Sequence, residues 1–156
     1  AQESRGLGDV YKRQVREEAD YDVLFEQGGE QTDGRVLIVS FGALSDQALG
    51  AAQALCDANF SATVVDPHWV VPTADSLLEL ARDFDLVVTI EDNGVHGGAG
   101  SRLHYDLSQA GIDVPVRNLG VPQEFLAHAS RGEVLEDLGL DAETVARTVV
   151  GYAEKL

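Results

Sequence analysis

The sequence predicts an α/β domain, a mostly parallel sheet covered by helices on both faces. Three observations predict it. Four apolar runs, Val36–Val39, Ala62–Val65, Leu86–Ile90 and Val114–Leu119, are continuous rather than alternating, as in strands buried on both sides. Between them lie stretches whose apolar residues recur at helical spacing. The regular alternation of strand and helix implies parallel pairing through right-handed crossovers.

The elements follow in chain order. Residues 1–14, AQESRGLGDVYKRQ, have no apolar periodicity and resemble a translated sequencing-adapter artefact, so they are set apart from the fold and the chain is expected to be a fragment of a longer protein. Residues 15–34 read as a linker and edge segment, with a short apolar stretch at Tyr21–Phe25 and a turn from Gly28 and Gly29 to Gly34. Residues 35–156 form the domain proper. Leu44, Ala48, Ala52 and Leu55 mark a first helix with Ser45 or Asp46 as N-cap. Leu77, Ala81 and Phe84 mark a second, opened by Pro72 and Thr73 or Asp75. Leu103, Leu107 and Ala110 mark a third, closed by Gly111. Ser130-Arg-Gly-Glu133 reads as a capping box ahead of Val134, Leu135 and Leu138, with Gly139 as the stop. Asp141 caps a last helix whose stripe is Val145, Val149, Tyr152 and Leu156.

Composition narrows the partners. Eleven Lys and Arg stand against 27 Asp and Glu, a net charge of −16. Four of those basic residues fall in the first 16, so the remainder is more acidic still. Such a surface repels a phosphate backbone, which argues against nucleic acid. No apolar run approaches the roughly 20 residues of a membrane span. The single cysteine, Cys56, excludes an intrachain disulfide, fits a reducing cytoplasm, and sits on the apolar stripe of the first helix as a packing residue.

Three segments carry a family resemblance: Ala62-Thr-Val-Val-Asp-Pro-His-Trp-Val-Val-Pro72; Thr89-Ile-Glu-Asp-Asn-Gly-Val-His-Gly-Gly-Ala-Gly-Ser101; and Gly120-Val-Pro-Gln-Glu-Phe-Leu-Ala-His-Ala-Ser130 with its continuation through Glu133 to Asp141. In order and spacing they resemble the C-terminal domain of the 1-deoxy-D-xylulose-5-phosphate synthases, transketolase-like enzymes, in their actinobacterial form. The segment from Asp22 to Glu30 resembles the linker into that domain. His68 departs from the pattern, which usually has Arg there. The resemblance implies a three-layer α/β/α unit with five strands, the first, at Val23–Phe25, antiparallel to the rest. It also implies a cytoplasmic homodimer that condenses pyruvate with glyceraldehyde 3-phosphate on thiamine diphosphate and Mg²⁺. Both cofactors are held by domains N-terminal to this one, so the fragment alone binds neither and is inactive. Its implied role is packing against its own N-terminal domains and supporting the dimer. Other readings are the same domain of a transketolase or of a 2-oxo acid dehydrogenase β subunit, a free-standing module binding an acyl carrier or nucleotide, and a purely structural or regulatory subunit.

The candidate contact residues are Asp66, His68 and Trp69 in the first motif, Glu91, Asp92, His96, Gly97, Gly98, Gly100 and Ser101 in the second, and His128 in the third. Gly94, Gly97, Gly98 and Gly100 follow a strand and open a helix, where backbone N–H groups can meet an anion. The same glycines also serve a tight turn and close packing of helix on sheet. Their spacing is neither a dinucleotide fingerprint nor a P-loop. Glu91 and Asp92, as neighbours in a strand, point to opposite faces and so make a poor acid–base pair. The four histidines show no metal-binding spacing, and no catalytic residue is expected in this segment. Trp69, held between Pro67 and Pro72, reads as a packing anchor or an interdomain contact.

Overall fold

A computed structural model describes residues 15–29, 31–124, 126 and 128–156. The 1–14 segment, and Glu30, Phe125 and Ala127 of the resemblance motifs, lie outside the described residues. Six strands form one sheet: β1 (Arg16–Glu17), β2 (Tyr21–Gln27), β3 (Arg35–Phe41), β4 (Ser61–Pro67), β5 (Leu86–Gly94) and β6 (Val116–Val121), in the order β1-β2-β4-β3-β5-β6. β4, β3, β5 and β6 are mutually parallel, and β2 runs antiparallel to β4. The expected five strands gain β1, two residues paired antiparallel with β2 at the sheet edge, too short to leave a period in the sequence.

Three of the four apolar runs face both ways, as their continuity required; the fourth falls in β6, an edge strand that buries only Val116 and exposes Arg117. Val36, Ile38, Val64, Val88 and Ile90 pack with helices α1 (Ser45–Asp57) and α5 (Ala142–Ala153). Leu37, Val39, Val65 and Val87 pack on the other face with α2 (Asp75–Ala81) and α3 (Ala99–Gln109). Alternation with period two sends each residue of a strand to one layer or the other, and both layers are apolar. A short helix, α4 (Arg131–Asp137), precedes α5 and leans Leu135 onto the α1–α5 cluster.

Several boundaries move for identifiable reasons. The N-cap of α1 is Leu44, not Ser45 or Asp46, because the Ser45 hydroxyl donates back to the Gly42 carbonyl at 3.1 Å in the preceding turn, where Gly42 has φ +83°. Thr73 does not cap α2; Ala74 does, without a side-chain bond, and Asp75 is the first helical residue. Phe84 falls beyond α2, its ring lying 5.1 Å beneath the Arg35 guanidinium. β6 starts at Val116 rather than Val114. Leu156 ends beyond α5 at 54% exposure, and Ala153 completes the buried stripe. The capping box of Ser130 and Glu133 and the cap from Asp141 to the Thr144 N–H form as expected, and Gly111 and Gly139 take positive φ at their helix ends. Among the described residues no helix is long and apolar enough to cross a membrane.

Candidate functional site

Because β3, β4, β5 and β6 are parallel, the motif-bearing connections all leave the sheet at its C-terminal edge, where open α/β sheets place their crevices. The β5–α3 connection is built around Glu91. This side chain is fully buried. Its Oε2 accepts the N–H of Ala99 and its Oε1 the N–H of Gly100, each at 2.9 Å. Those are the first two residues of α3, whose N–H groups have no partner within the helix. The carboxylate also faces the positive end of the helix dipole. The anion at this helix N-terminus is thus the chain's own.

The glycines make the approach possible. A Cβ on Gly98 would stand 2.6 Å from both Glu91 carboxylate oxygens, and one on Gly100 would stand 2.2 Å from Thr89 Oγ1. Gly97 turns the chain at φ +78°. Ser101 donates from its hydroxyl to the Gly98 carbonyl at 3.1 Å, and Thr89 donates to Asn118 Oδ1 on β6 at 2.8 Å. Asp92, on the opposite face, pairs with Arg131 of α4 at 2.8 Å. The two consecutive carboxylates therefore anchor one helix in each layer. His96, at the tip of the loop, is exposed.

The β4–α2 connection is organised differently. Asp66 lies directly opposite Asp22 of β2, and His68 Nε2 reaches Asp22 Oδ1 at 3.1 Å. Burial, reinforced by the charge of Asp22, pushes the Asp66 carboxyl above its ordinary range, and His68 offsets part of this. The bond to Asp22 raises the His68 imidazole above its ordinary value. Beyond it the chain turns apolar groups outward: Trp69 is 71% exposed, with Val70 and Val71 beside it. Thr73 then donates to Asp106 Oδ2 of α3 at 2.5 Å, and Arg102 holds the same carboxylate at 2.8 Å. Burial alone would push Asp106 up, yet the bonds from Arg102 and Thr73 outweigh it and hold the carboxyl below the usual range. Through Asp106 the Trp69 connection and the glycine loop rest on one helix. His128 stands exposed on the β6–α4 connection, near Leu126 in sequence, which is also exposed.

Residues 29–145 match the family described as transketolase, C-terminal domain. The chain belongs to the transketolase C-terminal domain family. Among transketolase C-terminal domains of known enzymes it is similar to the 1-deoxy-D-xylulose-5-phosphate synthase of Corynebacterium jeikeium, 92% identical over 142 residues, which is 91% of this chain and 22% of that protein. It is 55% identical over 117 residues to the synthase of Rhodococcus jostii, covering 75% of this chain and 18% of that one. The chain thus spans about a fifth of the length of these relatives. Among solved structures, a split-gene transketolase described as an inactive beta4 tetramer superposes with a TM-score of 0.74 at 33% identity, over 91% of this chain and 45% of that one. A transketolase mutant from Pichia stipitis, at TM-score 0.60 and 16% identity over 87% of this chain and 18% of that one, shares the fold.

Within this transketolase C-terminal domain the structure gathers Glu91, Gly98, Gly100 and Ser101 into one corner around the buried Glu91, brings Asp66 and the exposed His68 together at Asp22, and leaves His96 and His128 in solvent. Sequence reasoning missed Asp22, Thr89, Asp106, Asn118 and Arg131, whose contacts with His68, each other, Thr73 and Asp92 span at least 29 positions. Only the Thr89–Asn118 pair carried a signal, two polar residues interrupting apolar strand runs. Among the described residues no group of three or more His, Cys, Asp or Glu is placed to hold a metal ion. A cavity of about 660 Å³ opens at the other edge of the sheet, by Thr32, Arg35, Ser61 and Asp85, and none of the candidate residues lines it.

Proposed function

We propose that residues 35–156 are the C-terminal domain of a 1-deoxy-D-xylulose-5-phosphate synthase, with residues 15–34 as its incoming linker and edge strand. The whole enzyme, a cytoplasmic homodimer, joins pyruvate to glyceraldehyde 3-phosphate with loss of carbon dioxide. Thiamine diphosphate, held through Mg²⁺, supplies the carbanion sink for that reaction. The residues here do not fit that group: the N–H groups of Ala99 and Gly100 are taken up by Glu91, and Asp92 is paired with Arg131. The cofactor belongs on this reading to the N-terminal domains, and the task of residues 35–156 is to dock against them and support the dimer.

The observation that carries the docking role is the Trp69-Val70-Val71 segment, three large apolar side chains turned outward together at the crevice edge of the sheet. An exposed Trp beside aliphatic neighbours is the composition of an interface anchor. The identity of 92% to a synthase, against 33% to the transketolase structure, supports the synthase over the other superfamily members. Placing Trp69→Ser and His96→Ala in a full-length synthase carrying this domain tests the role. Trp69→Ser is expected to weaken dimerisation in analytical ultracentrifugation and to lower turnover, while the isolated domain keeps its stability. Unchanged dimerisation and turnover in both variants would remove the proposal.

A further inference from the structure

The chain has three asparagines, and the fold treats them differently. Asn59 donates from Nδ2 to Asp33 Oδ2 at 3.1 Å, and Asn118 Oδ1 accepts from Thr89 at 2.8 Å. Each is followed by a bulky residue, Phe60 or Leu119. Asn93 is followed by Gly94. Both are exposed, and among the described residues the Asn93 carboxamide has no hydrogen-bond partner. Asn93 also lies outside both runs of strand pairing. β3 pairs with β5 only as far as Glu91, and the register with β6 breaks after Ile90 and resumes at Gly94. The bond that closes the sheet there runs from the Val95 N–H to the Val121 carbonyl at 2.8 Å, so it does not engage the Gly94 nitrogen.

A carboxamide on this side chain is an electrophile with a nucleophile beside it. The backbone nitrogen of the next residue can attack Cγ and close a five-membered ring, provided that residue's own side chain does not block the approach. Glycine has no side chain and leaves the backbone freest to turn into the ring. Asparagine counts among the thermolabile residues of proteins. We propose that Asn93–Gly94 is a self-modification site at the tip of the β5–α3 connection. The Gly94 nitrogen bonds Asn93 Cγ, the Cγ–Nδ2 bond breaks, and the amide leaves as ammonia with the proton of the Gly94 N–H. One water then opens the cyclic imide. Opening at Cγ leaves aspartate; opening at the main-chain carbonyl leaves isoaspartate, whose main chain runs through Cγ and is one methylene longer. Either product sets a third carboxylate after Glu91 and Asp92, next to the Asp92 that Arg131 holds. The isoaspartate also lengthens the loop that leads into α3. The consequence for docking rests on the function proposed above, but the reaction does not.

The 156-residue chain is to be held at physiological pH and temperature and sampled over time by peptide mapping with mass spectrometry. Isoaspartate is labelled with an isoaspartyl methyltransferase and S-adenosylmethionine. The Asn93 peptide is expected to gain the mass of an amide-to-acid exchange, with both aspartate and isoaspartate in it, while the Asn59 and Asn118 peptides stay unchanged. Asp33–Gly34 has the same glycine but no amide to lose, so mass separates it. Gly94→Ala, whose Cβ would meet nothing nearer than the His96 carbonyl at 3.7 Å, should lose the conversion over the same interval. Should that variant fold poorly, Asn59 and Asn118 in the unaltered chain supply the comparison. An Asn93 amide that stays intact, conversion of Asn59 or Asn118 ahead of it, the parental rate in Gly94→Ala, or aspartate formed without isoaspartate would each overturn the proposal. These readings concern the chain alone, so a failure of domain docking in the full-length enzyme leaves them interpretable.

Discussion

Replacing Glu91 by Gln isolates the one buried carboxylate among the described residues. The two side chains have nearly the same shape, so packing is held while the charge and one acceptor are lost. In the native arrangement each carboxylate oxygen accepts one backbone N–H at 2.9 Å. A Gln carbonyl keeps one of these bonds, but its NH₂ then faces the other N–H, donor against donor. The loss is one charge-assisted hydrogen bond, about 1.5–3 kcal/mol, with a further cost of about 1–3 kcal/mol for a donor left without a partner. Partial rotation of the side chain and loop relaxation recover some of that, and about 3 kcal/mol is the expected destabilisation. With a total stability of roughly 5–15 kcal/mol for a domain, the variant still folds. At about 2–4 °C per kcal/mol the melting temperature falls by about 6–12 °C. Urea denaturation followed by circular dichroism measures the difference directly. A Glu91→Gln midpoint within about 0.5 kcal/mol of the parent, the range of an inconsequential surface change, would refute the assignment of Glu91 as the internal anion of α3.

Three further predictions concern two glycines and the Asp66 carboxyl. Gly100→Ala drives a Cβ to 2.2 Å from Thr89 Oγ1 and 3.2 Å from Asn118 Oδ1, and should cost about 1–3 kcal/mol by denaturant titration. Gly132→Ala, in α4 with open space around it, should be neutral or gain up to about 1 kcal/mol in the same measurement. Asp66 is raised by burial and by Asp22, so its native form favours the proton; the stability tied to it is complete below the unfolded value and is lost as pH rises through the native one. Asp66→Asn should therefore melt higher than the parent at pH 7, by no more than about 1 kcal/mol for a half-exposed group. The gap should close as pH falls toward 4, and a gap that persists there would contradict the shift.

The sequence by itself determined the layers. Continuous apolar runs can be satisfied only by strands covered on both faces, and Val36–Val39 and Leu86–Ile90 carry that requirement in four or five consecutive residues. Caps that depend on neighbours three positions away, at Ser130 and Asp141, were equally legible because both partners sit in one short window. The Asp66-Pro-His-Trp and glycine-loop motifs located the sheet edge that carries the candidate site. What those motifs do was decided by the tertiary structure. That Glu91 rather than a ligand fills the start of α3 depends on how α3 lies against β5, and that His68 meets Asp22 depends on β2 pairing with β4. The second contact joins residues 46 positions apart, and even the first, across eight or nine positions, depends on backbone placement that no local periodicity encodes. Local pattern therefore fixed which faces had to be buried. Packing alone chose which polar groups would meet there.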